Sequence, residues 1–263
     1  MKTKTKTILL FLLLAVFALS SANCSLKKYD KREVSEYKIN TAGKTKVTLE
    51  NISGTIKVYK GDSSSGLVIK AEKIAHVKKR DLYKPFTEAS VEIDSSSDVI
   101  RITGEIEKIK GFFKFEIDGG TRINYTITLP PGLKFSVDNT NGDVELNDLI
   151  NDLDVTVVNG DVNINKTSGL NKFDITNGKM KGSMDSSKGL TVDIVNGGIK
   201  FDLGKNFSGN FNIETVNGKI TQDNLDFKTI ESEKHSFKGK LGDSNAEIKI
   251  DVVNGKVSLN GSK

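Results

Sequence analysis

The sequence predicts an all-β protein, built as a single-stack parallel β-solenoid (a β-helix) with coils of about 18–21 residues. Three observations support this fold class. The dipeptide Asn-Gly recurs six times, at intervals of 18, 18, 19, 21 and 37 residues. Apolar and polar residues alternate on both sides of each pair, which is the period of a β-strand. The chain has 24 glycines but three prolines, which together with many Val, Ile and Thr residues favours strands and turns over helices.

The Asn-Gly pairs mark the predicted bends of the repeats, because Gly accepts positive φ and Asn tolerates it better than most residues. The last interval is about twice the others, so we expect one coil between Gly218 and Asn254 to have lost its Asn-Gly pair. The predicted bend residues are Asn141, Gly142, Asn159, Gly160, Asn177, Gly178, Asn196, Gly197, Asn217, Gly218, Asn254 and Gly255.

Positions counted from each Asn indicate which residues face the core. With the Asn as position zero, positions −4 and +3 are apolar in all six repeats, and positions −2 and +5 are mostly apolar. The Asn shares the parity of these positions, so the sequence predicts an internal ladder of amide hydrogen bonds along the stack. Such a ladder would satisfy amides whose burial without a partner costs roughly 1–3 kcal/mol each.

Two arrangements of strands are compatible with this pattern. An Asn-Gly pair between alternating strands is also the strongest short signal for a β-hairpin, so a series of antiparallel hairpins is the alternative. Equivalent positions agree in residue type across the repeats, which is what stacking of like on like requires. This agreement favours the solenoid.

The N-terminal half follows the pattern more loosely. The repeat template reappears over residues 49–58, with Ser53 in place of the Asn and Gly54 after it. Between about residues 60 and 130, further strands are predicted at 67–69, 91–93, 99–102 and 123–127. Phe112, Phe113 and Phe115 are predicted to cap the end of the stack.

The start of the chain has the three-part layout of a secretory signal peptide. Three lysines precede an apolar run over residues 8–19, and small residues lead to Cys24, the only cysteine. This run is too short for the ~30 Å hydrocarbon core of a bilayer. Residues 19–24 resemble a bacterial lipobox, with Asn23 where Gly or Ala is usual, and the resemblance implies lipidation of Cys24. The alternative is an ordinary cleaved signal peptide.

These features predict four segments and a location. Residues 1–23 are a signal peptide, 24–40 an N-terminal tether, 41–130 an N-terminal β region with the first repeat-like coil and looser strands, and 131–263 the Asn-Gly β-solenoid repeats. The expected location is the cell envelope, lipid-anchored on the outer membrane or the periplasmic face. Loss of the signal peptide lowers the formal net charge from +5 to +2, which argues against a nucleic-acid partner.

No catalytic motif is present, so we expect no enzyme activity and no cofactor. His76 and His235 are the only histidines, and neither has a Cys or His at metal-ligand spacing, so no metal site is expected.

Position −3, whose parity faces outward, predicts an acidic stripe along one face of the stack. The residues of this stripe are Asp138, Asp174, Asp193, Glu214 and Asp251, with Thr156 in the remaining repeat and Glu50 in the N-terminal unit. The stripe would attract a cation or a basic partner. The alternative is an ordinary solvated face, neutralised by lysines on the arm after the bend: Lys179, Lys181, Lys200, Lys219 and Lys256.

Four stretches, in this order, carry a resemblance to a known family. They are Asn51-Ile-Ser-Gly-Thr-Ile-Lys-Val58, Tyr125-Thr-Ile-Thr-Leu-Pro-Pro131, Phe237-Lys-Gly-Lys-Leu-Gly242 and Ile248-Lys-Ile-Asp-Val-Val-Asn-Gly255. With the repeats they resemble the bacterial putative-adhesin family of unknown function, built from Asn-Gly-rich β-solenoid coils. The resemblance implies a parallel β-helix-like fold in an envelope or surface protein, and it implies no catalytic residues.

The leading functional hypothesis is an envelope-anchored lipoprotein that acts as a binding, adhesion or scaffold module through its solenoid faces. Its expected partners are the membrane, through the lipid anchor, and a protein or glycan. The alternatives are a carbohydrate-active enzyme on a β-helix and a self-assembling structural protein. The oligomeric state stays open.

Overall fold

The computed structural model describes residues 29–106 and 120–262, which form nineteen strands and one short 3-10 turn, η1 (Lys79–Asp81). The strands are β1 (Tyr29–Ile39), β2 (Lys46–Ser53), β3 (Ile56–Lys60), β4 (Leu67–Val77), β5 (Ala89–Asp94), β6 (Val99–Ile106), β7 (Arg122–Leu129), β8 (Lys134–Asn141), β9 (Val144–Asn147), β10 (Leu153–Asn159), β11 (Val162–Asn165), β12 (Leu170–Asn177), β13 (Met180–Met184), β14 (Gly189–Asn196), β15 (Ile199–Leu203), β16 (Gly209–Asp223), β17 (Phe227–Ser232), β18 (Ser236–Leu241) and β19 (Glu247–Gly261). They join one large, mostly parallel sheet, so the all-β prediction is confirmed. Within the described ranges, no helix has the length and hydrophobicity needed to cross a bilayer.

Seven units of strand, bend and strand lie side by side and pair in parallel. The strands before the bend pair in the order β2, β8, β10, β12, β14, β19 and β16, and those after the bend in the order β3, β9, β11, β13, β15, β19 and β16. Equivalent positions lie opposite each other, so that Val155 pairs with Val137 on one side and Phe173 on the other. In these units the antiparallel hairpin alternative is therefore wrong.

One hydrophobic core receives side chains from both arms of every unit. In β10 and β11, for example, Val155, Val157 and Val162 are fully buried. The apolar residues predicted at positions −4 and +3 all line this core, and only Ile220 among them is partly buried. Burial of one such side chain contributes about 1.5–3 kcal/mol, so the repeated columns are the main source of stability.

The bend places two successive residues on the outer surface, and this breaks the alternation of the strand. Val157 is buried, whereas Val158 and Asn159 are both exposed. Val158 is also skipped in the pairing, which passes from Val157–Ile175 to Asn159–Asn177. The prediction that the bend Asn faces the interior is therefore wrong, because the extra outward residue shifts the parity by one.

The order of units in space differs from their order in the chain. Strand β19, the last in sequence, lies between β14–β15 on one side and β16 on the other. The coil expected between Gly218 and Asn254 is not formed, and that expectation is wrong. The segment folds instead as the antiparallel pair β17–β18, with β18 pairing antiparallel to β16.

An aromatic cluster holds this hairpin on the end of the core. Phe207, Phe211, Phe227 and Phe237 pack in sequence with ring centroids 5.9, 5.0 and 5.0 Å apart. The last two contacts, Phe211–Phe227 and Phe227–Phe237, are T-shaped, and aromatic pairs of this geometry stabilise by about 0.5–1.5 kcal/mol beyond the area they bury. The cap predicted from Phe112, Phe113 and Phe115 lies outside the described residues.

The other end of the sheet is closed by the N-terminal strands. Strand β6 pairs parallel with β2 and antiparallel with β5, and β7 pairs parallel with β3 and antiparallel with β4. The four looser strands predicted between about residues 60 and 130 thus lie in β4, β5, β6 and β7. Within the segment predicted as a tether, residues 29–39 form β1, which pairs antiparallel with β4 from Tyr29–Val77 to Ile39–Leu67.

Candidate functional site

The Asn side chains of the bends form a continuous outer amide row. Along this row, each Nδ2 donates to the Oδ1 of the next Asn at 2.8–3.0 Å. The order of the row is Asn217, Asn254, Asn196, Asn177, Asn159 and Asn141. The amide ladder predicted from the sequence therefore exists, but on the surface, where each amide gains its partner without being buried.

The outer amide row ends at the first unit, where the bend residue is Ser instead of Asn. Ser53 lies opposite Asn141 in the first unit and has no amide to continue the row. The Nδ2 of Asn141 donates instead to the backbone carbonyl of Ile52, at 3.3 Å.

The Gly after each bend Asn is required by a close approach of backbones. A Cβ added at Gly160 would lie 2.2 Å from the carbonyl oxygen of Gly142, and one at Gly178 would lie 1.9 Å from that of Gly160. Gly142 also has a φ of 134°, which an L residue rarely adopts. The bend glycines therefore form a column in which no side chain fits.

A second amide contact lies inside the core and was missed by the sequence analysis. Asn51 and Asn139 are 3% and 2% exposed, and Asn51 Nδ2 donates to Asn139 Oδ1 at 3.1 Å. Asn139 Nδ2 donates in turn to the backbone carbonyl of Gly142 at 2.8 Å. The available signal was an Asn at position −2, where the later units have mostly apolar residues.

The predicted acidic stripe is a column of outward side chains in neighbouring units. Its order in space is Glu50, Asp138, Thr156, Asp174, Asp193, Asp251 and Glu214. We call this set the acidic column. Four of the five predicted carboxylates are therefore contiguous, and Thr156 separates Asp138 from them.

Two lysines on the same strands neutralise part of this column. Lys172 Nζ lies 2.6 Å from Asp174 Oδ2, and Lys249 Nζ lies 2.5 Å from Asp251 Oδ2. Both lysines stand two residues before their carboxylate, on the same strand face. The neutralising lysines were expected on the arm after the bend, so this pairing was missed, although the spacing of two was visible in the sequence.

Asp193 lies between these two ion pairs and has no lysine in the equivalent place. Thr191 pairs with Lys172 on one side and Lys249 on the other, so it occupies the position of a lysine. Burial raises the pKa of Asp193, and the negative charges of Asp174 and Asp251 raise it further. Ionisation of Asp193 is thus opposed both by its burial and by its two acidic neighbours.

The acidic column ends at a cleft of about 340 Å³ beside the β17–β18 turn. We call it the terminal cleft, and its lining residues are Glu214, Thr215, Val216, Glu233, His235, Ser236, Asp251, Val252 and Val253. His235 is held at the rim, because its backbone carbonyl accepts from the Thr215 amide at 2.8 Å. The Oδ1 atom of Asp251 is shielded from solvent and has no hydrogen-bond partner among the described residues. The cleft therefore combines the carboxylates of Glu214 and Glu233, and the Lys249-paired carboxylate of Asp251, with the exposed residues Val216 and Val253.

The two histidines lie in different places. His76 Nδ1 is 2.6 Å from Asp30 Oδ1 at the β1 end, and His235 lines the terminal cleft. Among residues 29–106 and 120–262, no three His, Cys, Asp or Glu side chains are arranged to hold a metal ion. The predicted lipidation site, Cys24, lies outside the described residues.

Repeated strand–bend–strand units in one mostly parallel sheet define the class as an all-β repeat protein with Asn-Gly bends. The chain belongs to the family described as Toastrack DUF4097, whose model matches residues 63–260. The resemblance to a putative-adhesin family of unknown function is thereby confirmed.

Several solved structures are similar to this chain. A putative cell adhesion protein from Clostridium sporogenes is 14% identical with a TM-score of 0.47, and the match covers 88% of this chain and 100% of that one. A putative adhesin from Bacteroides fragilis is 15% identical with a TM-score of 0.40, over 88% and 97% of the two chains. A putative lipid binding protein from Parabacteroides distasonis is 10% identical with a TM-score of 0.30, over 89% and 97%. No curated protein matches the chain.

Proposed function

We propose that this chain is an exported, lipid-anchored β-solenoid that acts as a binding, adhesion or scaffold module of the cell envelope. The parallel register of seven units, with Asn or Ser at the same place in each, supports the solenoid. A signal-like start that leads to Cys24 supports export and acylation. Stacked units offer long, regular faces that suit binding.

The observation that carries the binding role is the terminal cleft. Glu214, Glu233 and Asp251 line it together with the exposed residues Val216 and Val253. Lys or Arg suits such a lining, because its methylene stem packs on apolar surface while its charged head pairs with carboxylates. The proposed partner is therefore a protein that inserts a basic side chain into the cleft, while the rest of its surface lies along the acidic column.

One observation favours a second function, a carbohydrate-active enzyme. Several carboxylates border one cleft, and glycosidases use a pair of Asp or Glu residues across the scissile bond. Against it, the sequence contains no recognisable catalytic motif. Binding without turnover is therefore the proposal.

The binding role is tested with a fluorescent hexa-arginine peptide and fluorescence anisotropy. The Glu214→Gln/Glu233→Gln variant removes two cleft carboxylates, and we expect the Kd of the peptide to rise about tenfold, since hydrogen bonds to charged groups are the stronger ones. The matched control is Asp138→Asn/Glu50→Gln, which removes two facing carboxylates at the other end of the same column. Equal losses in both variants would show that only net charge matters and would reject the cleft as the binding site.

The second function has its own readout. Release of reducing sugar by the wild type, lost in the cleft variant, would establish the carbohydrate-active enzyme instead.

The anchor is tested separately, by fatty-acid labelling of the wild type and the Cys24→Ala variant with membrane fractionation. We expect both the label and the membrane association to be lost in the variant. If the wild type takes up no label, the chain is not a lipoprotein.

A further inference from the structure

We infer that the β4–β5 connection is a membrane-docking surface, which seats the N-terminal end of the sheet on a bilayer with anionic headgroups. The surface consists of the segment Lys78–Lys84, with sequence KKRDLYK. The inference rests on the proposed lipid anchor at Cys24 and adds the orientation of the protein on the membrane.

The charge and exposure of this segment fit an anionic lipid surface. It contains four basic residues and one acid, Asp81, which lies 2.7 Å from Lys84 and 3.5 Å from Arg80. Lys78 and Lys79 are exposed and have no ion-pair partner in the part of the chain that the structure describes. Each basic residue near an anionic leaflet strengthens binding roughly fivefold.

Tyr83 adds an aromatic side chain to the same surface. It is 86% exposed, the largest exposure of any of the large hydrophobic residues in the described ranges. Tyr and Trp are enriched at the level of lipid headgroups, because the ring is apolar and its hydroxyl stays hydrated. An exposed Tyr among lysines therefore fits the headgroup level of a membrane.

Both ends of the segment are fixed beside the start of β1. Val77, which precedes the segment, pairs with Tyr29. Pro85, which follows it, accepts a hydrogen bond through its carbonyl from Lys31 Nζ at 3.0 Å. Lys31 is 7% exposed, contacts Glu88 at 3.1 Å and lies 5.0 Å from the centre of the Phe86 ring. The segment is thus held against the first residues of β1.

Covalent geometry places this surface close to the proposed anchor. Four residues separate Cys24 from Tyr29, and the five Cα–Cα steps between them span at most about 18 Å. A lipid on Cys24 would therefore hold Tyr29 near the bilayer, and the basic segment follows Val77, the pairing partner of Tyr29. The hairpin β17–β18 lies at the opposite end of the pairing order, away from the membrane.

The chain contains no tryptophan, so one introduced indole reports membrane depth. The acylated Tyr83→Trp protein is reconstituted in phosphatidylcholine vesicles with 30% phosphatidylglycerol, and quenching by dibrominated lipid is measured. The matched control is Ile230→Trp, because Ile230 is 79% exposed and lies on β17. We expect quenching at least threefold stronger for Tyr83→Trp than for Ile230→Trp. Equal quenching of the two, or equal quenching with and without phosphatidylglycerol, would overturn the inference.

Charge is tested in the Tyr83→Trp background. Lys78→Gln/Lys79→Gln should lower quenching at least threefold while fatty-acid labelling is unchanged, and the control Lys228→Gln/Lys234→Gln should leave quenching as it was. If the label is absent from the wild type, the anchor proposal fails on its own. In that case the docking surface is tested with the unacylated Tyr83→Trp protein at low salt. Quenching that is lost in Lys78→Gln/Lys79→Gln supports the docking surface, and quenching that is absent or unchanged in that variant rejects it.

Discussion

The side chain of Asn159 donates from Nδ2 to the Oδ1 of Asn141, which is 18 residues earlier in the chain and one unit away in space, at 3.0 Å. Both side chains are exposed, so water competes for these groups. Each of the four inner amides of the row donates to one neighbour and accepts from the other. The outer amide row therefore ties the bends of six units together without a buried polar group.

The first prediction concerns this row. Asn177 donates to Asn159 and accepts from Asn196, both at 2.9 Å, so Asn177→Ala removes two hydrogen bonds. We expect a loss of about 1–2 kcal/mol in the free energy of unfolding, measured with urea. Asn217→Ala, at the end of the row, removes the one bond to Asn254 and should cost about half as much. Equal effects at both positions would contradict a row whose bonds contribute separately.

Much of the unit could be predicted from the sequence, because a period of two and a constant spacing act on every repeat. The buried columns through Val155 and Val162 follow directly from that alternation. The outward turn of Asn159 could not be predicted, since it depends on the unpaired Val158, which has the composition of a strand residue. Local geometry at the bend, rather than hydrophobicity, decides which way the amide points.

The spatial order of the units could not be predicted either. Val252 of β19 occupies the same column as Ile194 of β14 and Thr215 of β16, so any of these units could neighbour another on the basis of side-chain type. Like residues at like positions favour stacking, but they do not specify which unit follows which. The terminal cleft was missed for this reason, because it forms only where β19 meets β16 and the β17–β18 turn.

The second prediction separates two reasons why a position requires glycine: the lack of space for a Cβ and a positive φ. At Gly178 an added Cβ would lie 1.9 Å from the Gly160 carbonyl oxygen, whereas at Gly132 nothing lies within 4 Å but φ is 87°. Gly178→Ala should therefore cost about 3 kcal/mol or more by forcing adjacent backbones apart, and Gly132→Ala about 1 kcal/mol through φ alone. Thermal unfolding of the two variants checks this. Similar costs for both would show that the units can separate to admit a methyl group.

The third prediction concerns the interior amide pair. Asn139→Val places an apolar side chain where Asn51 Nδ2 now finds an acceptor and leaves the Gly142 carbonyl without its donor. We expect a cost of about 1–3 kcal/mol in urea unfolding. The double variant Asn51→Val/Asn139→Val should cost less than the two single changes added together, because it leaves fewer buried groups unpaired. Strict additivity would argue against the pair acting as one unit.

The fourth prediction concerns Asp193 and pH. Because burial and two neighbouring carboxylates raise its pKa in the folded protein, the folded state holds the proton more tightly than the unfolded state does. The free energy of unfolding then falls as pH rises from the unfolded-state pKa near 3.8 through the higher folded-state pKa. At neutral pH the full destabilisation by the ionised Asp193 is present. Asp193→Asn removes the ionised form and should stabilise at pH 7 by roughly 0.2–1 kcal/mol, the size of a like-charge pair across strands. The gain should disappear at pH 3, where both states are protonated.

Asp154→Asn is the control, since Asp154 lies opposite Lys172 on one neighbouring strand and Ser136 on the other, and not opposite another acid. An equal gain at pH 3 and pH 7 would mean that the charge of Asp193 is not what opposes folding.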